Sequence, residues 1–438
     1  MATETKQGGF LSWYFGTSLL VRIIAGLVLG GLVGIALGYS PETAAAFAKN
    51  TKFFGDLFVR LLRMIVVPVI FFSLIVGAAS LSPSLLGRVG VKTLVFYLAS
   101  TLFSVAIGLL IATLLAPGAG LGMVGVGGIQ GKVATAPPLA QIILAIVPTN
   151  PMESLAKGDV LPIIFFALVV GISLAALRES TNEVLAKQAE VLFDCCSGFT
   201  ECIYKVVSGI MQYAPIGVFF LIAIVFAEQG PKVIGPLIFV TMTVYLAFIV
   251  HCIICYGGLL AINGLSFVKF LKGAQEAMIT AFVTRSSNAT LPISLRVTEE
   301  NLGAPRNIAA FALPIGATVN MNGTAIYIGI CAMFIGNAIG APLDANQQLT
   351  VMITATLAAI GSAGVPGAGA LMLIMALDSI GLKLETGSAV AATYAMILGI
   401  DALLDMGRTC MNVTGDIVGV VLVGKSEKML DKKVWNLK

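Results

Sequence analysis

The chain has 438 residues, of which 58% are hydrophobic and 11% charged, and a formal net charge of +4. An ordinary soluble domain carries about a quarter charged residues, so this composition excludes a fully water-facing surface and makes the bilayer the solvent for much of the molecule. A charge so near balance, with no basic stripe interleaved with aromatics, also excludes a nucleic-acid binder.

The opening MATETKQGGF has no basic segment leading into a short apolar core and a small-residue cleavage site, so no removable signal peptide is expected. Apolar runs long enough to cross roughly 30 Å of hydrocarbon follow in order. They are predicted near Leu19–Gly38, Phe58–Ala79, Leu94–Leu115, Ile142–Leu177 (broken at Pro148–Pro151), Phe199–Phe226 and Val233–Ile262. Between the third and fourth, Pro117–Pro138 is rich in Gly and Ala and reads as an exposed loop. Lys6, Arg88, Lys92, Arg178, Lys187 and the basic tail KSEKMLDKKVWNLK mark cytoplasmic segments, which places both termini inside the cell; Lys132 in an external loop runs against the pattern. Cys252 and Cys255 in HCIIC, and His251 beside them, read as helix-packing side chains, because no second pair stands at metal-ligand spacing.

After residue 265 the pattern changes. Two apolar segments are interrupted at their middles: AMITAFVTRSSNATLPISL at Thr284–Pro292, and LTVMITATLAAIGSAGVPGAGALMLIMAL at Gly361–Gly369. Each half is too short to span, so each segment reads as a re-entrant hairpin. Each precedes a long helix, Ile308–Ile335 (itself broken at Gly316–Gly323) and Ala389–Val423. Hairpin–helix twice over is an internal repeat, and paired interruptions of this kind point to a transporter's binding site.

The last helix holds GIDALLDMGRTCMNVTGDIVG. At about 100° per residue, Arg408, Thr409, Asn412 and Asp416 fall close to the azimuth of Asp405. Charges at membrane depth are costly and usually functional. A set of ion pairs that merely ties helices together would leave Asp416 without a basic partner. Arg408 offers a planar fork for a carboxylate, Asp405 an acceptor for an ammonium, and Asn412 a donor to a second carboxylate. Asp416 is a hard oxygen ligand for an alkali cation, aided by carbonyls of the broken stretch GATVNMNGTA around Gly316 and Asn320. Asp405, Arg408 and Asp416 together carry one negative charge if ionised, so an acidic amino acid is expected to enter with cations. Asp401 lies one turn earlier without an assigned task.

These residues resemble the dicarboxylate/amino acid:cation symporter family, most of all its archaeal sodium–aspartate transporters. The motifs are TRSSNATLP, NMNGTA, GVPGAG and DMGRTCMNVTGD, with GDLFVRLLRMIVVP, VPTNP and QYAPIGVF earlier. The resemblance implies an all-α polytopic membrane protein of about eight transmembrane helices plus two re-entrant hairpins (near 266–298 and 345–383) in inverted repeats. It implies a homotrimer whose scaffold is residues 1–87 and 118–230, with an elevator-like transport domain of 88–117 and 231–438. By motif, Arg408 would hold a substrate side-chain carboxylate and Asp405 its ammonium. Asn412, Thr324, Ser286 and Ser287 would hold the main-chain carboxylate, with Thr409 in the same set, and Val365 and Gly369 would close over the ligand. One sodium ion would use Asp416 with carbonyls near Gly316, Asn320 and Asn412. A second would use Thr318 and the stretch Ala359, Ile360 to Ser362. A third would lie near Tyr97, Ser100, Thr101 and Asn320. The family usually carries aspartate where this chain has Asn322, so the third sodium is expected to be weakened or absent. A proton-coupled glutamate or C4-dicarboxylate carrier is the alternative. One histidine and no HExxH argue against an intramembrane enzyme.

Overall fold

The computed structural model describes residues 16–17, 19–79, 88–123, 144, 147–359, 367–385 and 388–437. Most of the Pro117–Pro138 loop, and Ile360, Ser362 and Val365, therefore lie outside the described residues. Among the described residues every regular element is helical. In chain order these are α1 (Leu19–Leu37), α2 (Pro41–Ala79), α3 (Arg88–Leu115), α4 (Pro151–Lys157), α5 (Val160–Arg178) and α6 (Glu183–Gln229). Then come α7 (Ile234–His251), a π-turn (Cys252–Gly257), α8 (Gly258–Ile262), α9 (Phe267–Thr284), α10 (Ser287–Glu300), α11 (Arg306–Val319) and α12 (Asn322–Ala338). The last are α13 (Ala345–Ala359), α14 (Ala368–Ser379), α15 (Ala389–Ser426) and α16 (Lys432–Leu437). Among the described residues six continuous stretches are long and apolar enough to cross a membrane, and the chain is a multi-pass membrane protein.

The helices turn their apolar side outward. On α3, Val91, Val95, Leu98, Leu102, Leu110 and Leu114 are exposed, while Thr93, Tyr97, Ser100, Thr101 and Ser104 are buried. That is the reverse of a soluble amphipathic helix, and it follows from hydrocarbon, not water, lying outside. The most apolar window of Arg306–Ala338 is 100% buried and that of Ala389–Ser426 is 83% buried, against 39% for Ile234–Ile262. The α11–α12 pair and α15 are thus the inner helices, with α3, α7, α9 and α13 packed around them.

A second group, α1, α2, α5 and α6, packs mainly on itself. Gly26, Gly30 and Gly34 form a stripe along α1 at a spacing of four residues. A Cβ at each would stand 2.5 Å from the carbonyl oxygens of Pro215, Phe219 and Ala223 on α6. Small residues at this spacing let two membrane helices approach backbone to backbone, where dispersion replaces the missing hydrophobic drive.

Two of the predicted interruptions occur, one of them with a correction; the third, Gly361–Gly369, lies mostly outside the described residues. Residues 285–286 separate α9 from α10, and the two helices pack together. The break is narrower than the expected Thr284–Pro292, because Pro292 sits inside α10. As the sixth residue of α10, Pro292 removes one intrahelical hydrogen bond, the one to Asn288 O, without ending the helix. Ser286 caps α10 by accepting from Ala289 N at 3.2 Å. The α11–α12 break falls at Asn320–Met321, inside the expected Gly316–Gly323. At one end of the inner bundle, Lys92 donates to Ser426 Oγ at 2.9 Å and Glu427 Oε1 at 2.5 Å. Nearby Asp431 N donates to Gly303 O at 2.8 Å, and Trp435 is buried.

Candidate functional site

The break at Asn320–Met321 leaves two opposed helix ends inside the protein: the last carbonyls of α11 and the first N–H groups of α12. Each end carries unsatisfied backbone groups and part of the helix dipole, so side chains from other helices must answer them. Asn412 of α15 does so for α12, its Oδ1 accepting from Gly323 N at 2.8 Å and Thr324 N at 3.4 Å. Its Nδ2 donates to Thr324 Oγ1 at 3.2 Å. Asn412 and Thr324 are thereby brought together as expected, through a cap that the sequence pattern did not suggest.

On the α11 side, Asn320 Nδ2 donates to Asp416 Oδ1 at 2.9 Å. Ser100 Oγ lies 3.1 Å from Asn320 Oδ1, and Thr101 Oγ1 donates to Asn322 Oδ1 at 2.8 Å. Asn322 Nδ2 donates to Tyr256 Oη at 2.7 Å and Ser100 Oγ at 3.2 Å. Tyr256 in turn donates to Met411 O at 3.2 Å, and Tyr97 to Ala312 O at 3.0 Å. Gly316 admits Asp416, since a Cβ there would stand 2.5 Å from its Oδ1. All these side chains are buried, and Asp416 is the one acid among them. Oxygen-rich, buried and holding a single acid, the cluster has the donor chemistry of an alkali-cation site. Thr318 sits beside it in the last turn of α11, its Oγ1 donating to Ile315 O at 3.1 Å, and Ala359 is buried at the end of α13.

Tyr256 was not among the expected residues. It lies in the π-turn that follows α7. One extra residue in the turn rotates everything after it, so a register counted at 3.6 residues per turn points Tyr256 elsewhere.

The second cluster is centred on Arg408, 2% exposed. Asp405 Oδ1 accepts from its Nε at 3.0 Å and its Nη2 at 2.6 Å. Asp401 Oδ1 accepts from Nη1 at 3.3 Å, and the Tyr327 ring centroid lies 4.5 Å from Cζ, a cation–π distance. Thr409 Oγ1 donates to Asp405 Oδ1 at 3.4 Å, and Gly367 N to Asp405 Oδ2 at the same distance. Gly369 lies against the guanidinium, where a Cβ would overlap Nη1 and Cζ. The start of α14 is thus tied to the acid–guanidinium cluster. Ser287 is buried at the head of α10, which also packs on α15.

Asp401 and Asp405 with Arg408 amount to one negative charge if ionised, and Asp416 brings the two clusters to two. The charge to be offset is therefore one unit larger than the sequence reading, which left Asp401 aside. An anionic ligand entering this volume needs accompanying cations, because uncompensated buried charge costs several kcal/mol per ion.

A model of the "Sodium:dicarboxylate symporter family" matches residues 19–426. The chain is 33% identical to the "Proton/glutamate-aspartate symporter" of Escherichia coli (strain K12), over 95% of this chain and 94% of the relative. It is also 33% identical to the "Proton/sodium-glutamate symport protein" of Geobacillus stearothermophilus, covering 93% and 94%. A "C4-dicarboxylate transport protein" of Rhizobium johnstonii is 30% identical, covering 95% and 90%.

Proposed function

Because the chain belongs to the sodium:dicarboxylate symporter family, a family of transporters and not of enzymes, we propose that it is a secondary symporter of the cell membrane that carries an acidic amino acid, aspartate or glutamate, together with cations. The single observation that carries this reading is Arg408 held between two acids. A ligand that brings a carboxylate for Arg408 and an ammonium for Asp405 replaces one internal ion pair with two intermolecular ones. A C4-dicarboxylate answers Arg408 but leaves Asp405 buried and unpaired, which costs more than the new contact returns. The relatives named for glutamate and aspartate support the same choice.

Sodium is the proposed co-substrate at Asp416, with Gly316, Asn320 and Asn412 nearby, and at the Thr318–Ala359 ends of α11 and α13. Around Asn322 the neutral amide network is proposed to hold a third sodium weakly or not at all. Relatives named for protons keep proton coupling as the competing reading. The α9–α10 and α13–α14 pairs are proposed as re-entrant hairpins. The α1–α2–α5–α6 group is read as the scaffold of a homotrimer, past which the inner bundle moves as an elevator.

The test is counterflow of labelled aspartate in liposomes holding the purified protein, under a sodium gradient, a proton gradient or neither. Uptake driven by sodium is expected. Uptake driven by protons alone moves the coupling to the competing reading, and no counterflow with any acidic amino acid defeats the carrier.

A further inference from the structure

Asp401 is 6% exposed on the inner face of α15, and none of the roles above uses it. Its field opposes an anionic ligand, so its presence beside the anion-binding guanidinium requires another account. The contacts supply one. Arg408 is held at three places: the Nε–Nη2 edge by Asp405 (3.0 and 2.6 Å), the Nη1 corner by Asp401 (3.3 Å), and one face by the Tyr327 ring (4.5 Å). The edge taken by Asp405 is the one that matches a carboxylate in side-on, two-point geometry. Asp405 must therefore withdraw from that edge when a ligand ammonium attracts it. Arg408 then has one remaining ionic anchor, Asp401, and one remaining seat, Tyr327.

We propose that Asp401 is a positioning residue for the ligand's side-chain carboxylate. It holds the Nη1 corner fixed while Asp405 changes partner, so that the Nε–Nη2 edge opens toward the ligand and the guanidinium neither follows Asp405 nor rotates among its many rotamers. The oxygen acceptor at position 401 does this; its charge is a cost that comes with it. The inference rests on the acidic amino acid reading.

Field and anchor have opposite signs, which makes the idea testable. Removing a nearby acid strengthens anion binding if only the field matters, and weakens it if the anchor matters. Asp401→Ala removes both, whereas Asp401→Asn keeps an oxygen acceptor and removes the charge. Aspartate binding to the purified full-length protein at saturating sodium is to be measured with the substrate-free melting temperature. Competition by asparagine, whose side chain is neutral, completes the set. Asp401→Ala is expected to weaken aspartate about tenfold and to lower the aspartate-over-asparagine preference by the same factor, with melting nearly unchanged; Asp401→Asn stays within about threefold of the parent. Aspartate binding in Asp401→Ala that is unchanged or tighter overturns the proposal. So does an equal fall for aspartate and asparagine, or an Asn variant as weak as the Ala variant. A parent protein that binds neither aspartate nor glutamate overturns the substrate reading, and this proposal with it.

Discussion

Asn412 caps a helix to which it does not belong, its Oδ1 accepting the Gly323 amide at 2.8 Å across the α12–α15 contact. The same side chain closes a hydrogen bond to Thr324 at 3.2 Å, so its carbonyl and amide ends both hold the head of α12. Asn412→Ala should lose a helix cap, about 1–2 kcal/mol of stability, and leave two buried amides unanswered. The melting temperature of the purified protein is expected to fall. Asn412→Asp keeps the acceptor and places a negative charge at a helix N-terminus, and should recover most of that loss.

Gly369 sets a steric limit on substrate binding. A methyl group there would overlap the Arg408 guanidinium, and overpacking of this kind costs about 1–3 kcal/mol. Gly369→Ala is expected to displace Arg408 from between Asp401 and Asp405 and to weaken aspartate binding about tenfold or more, read by isothermal calorimetry. Binding at parental affinity would show that the guanidinium has room to spare.

Asn322 offers a gain-of-charge test. Its amide donates to Tyr256 and Ser100; a carboxylate would instead accept from Tyr256, Ser100 and Thr101, leaving a buried negative charge in want of a cation. Asn322→Asp should make aspartate binding more steeply dependent on sodium. Titration of sodium against aspartate affinity, before and after the change, measures it; an identical slope removes the idea that the amide weakens a third site.

The glycine stripe of α1 predicts a defect of another kind. Gly30→Val would drive a branched side chain into the Phe219 carbonyl, where even a Cβ stands at 2.5 Å. Helices α1 and α6 would have to separate along their contact. The expected result is less monodisperse protein by size-exclusion chromatography in detergent, with an unchanged KM in whatever protein survives.

Much of this was legible in the chain because membrane helices advertise themselves by length and lack of charge. The breaks at residues 285–286 and 320–321 announce themselves through Ser, Asn and Gly where apolar residues should run on. The azimuths of Asp405, Arg408, Asn412 and Asp416 follow from a constant 100° step along one unbroken helix. What was not legible depends on partners distant in sequence. Asn412 as a cap requires α12 to start beside α15, and nothing local to either helix says so. Asp401 and Tyr327 gain meaning only once Arg408 is seen to lie between them. Tyr256 was hidden by the π-turn, which shifts the phase of the residues after it. The narrower first break reflects Pro292, which reads as a breaker in sequence but sits inside α10, where the helix continues past the one hydrogen bond it removes.

The ties among Lys92, Ser426 and Glu427, and between Asp431 and Gly303, have a mechanical meaning. They bind the start of α3, the far end of α15 and the turn before α11 into one knot, well away from the chain breaks. Forces applied to any of the three helices at that end are shared by all of them. Arg408 and Asn412, which meet α14 and α12, lie farther back along α15, nearer its middle than this knot. Rearrangements around a ligand at Arg408 and Asn412 can therefore proceed without breaking the hydrogen bonds that anchor these helices to one another.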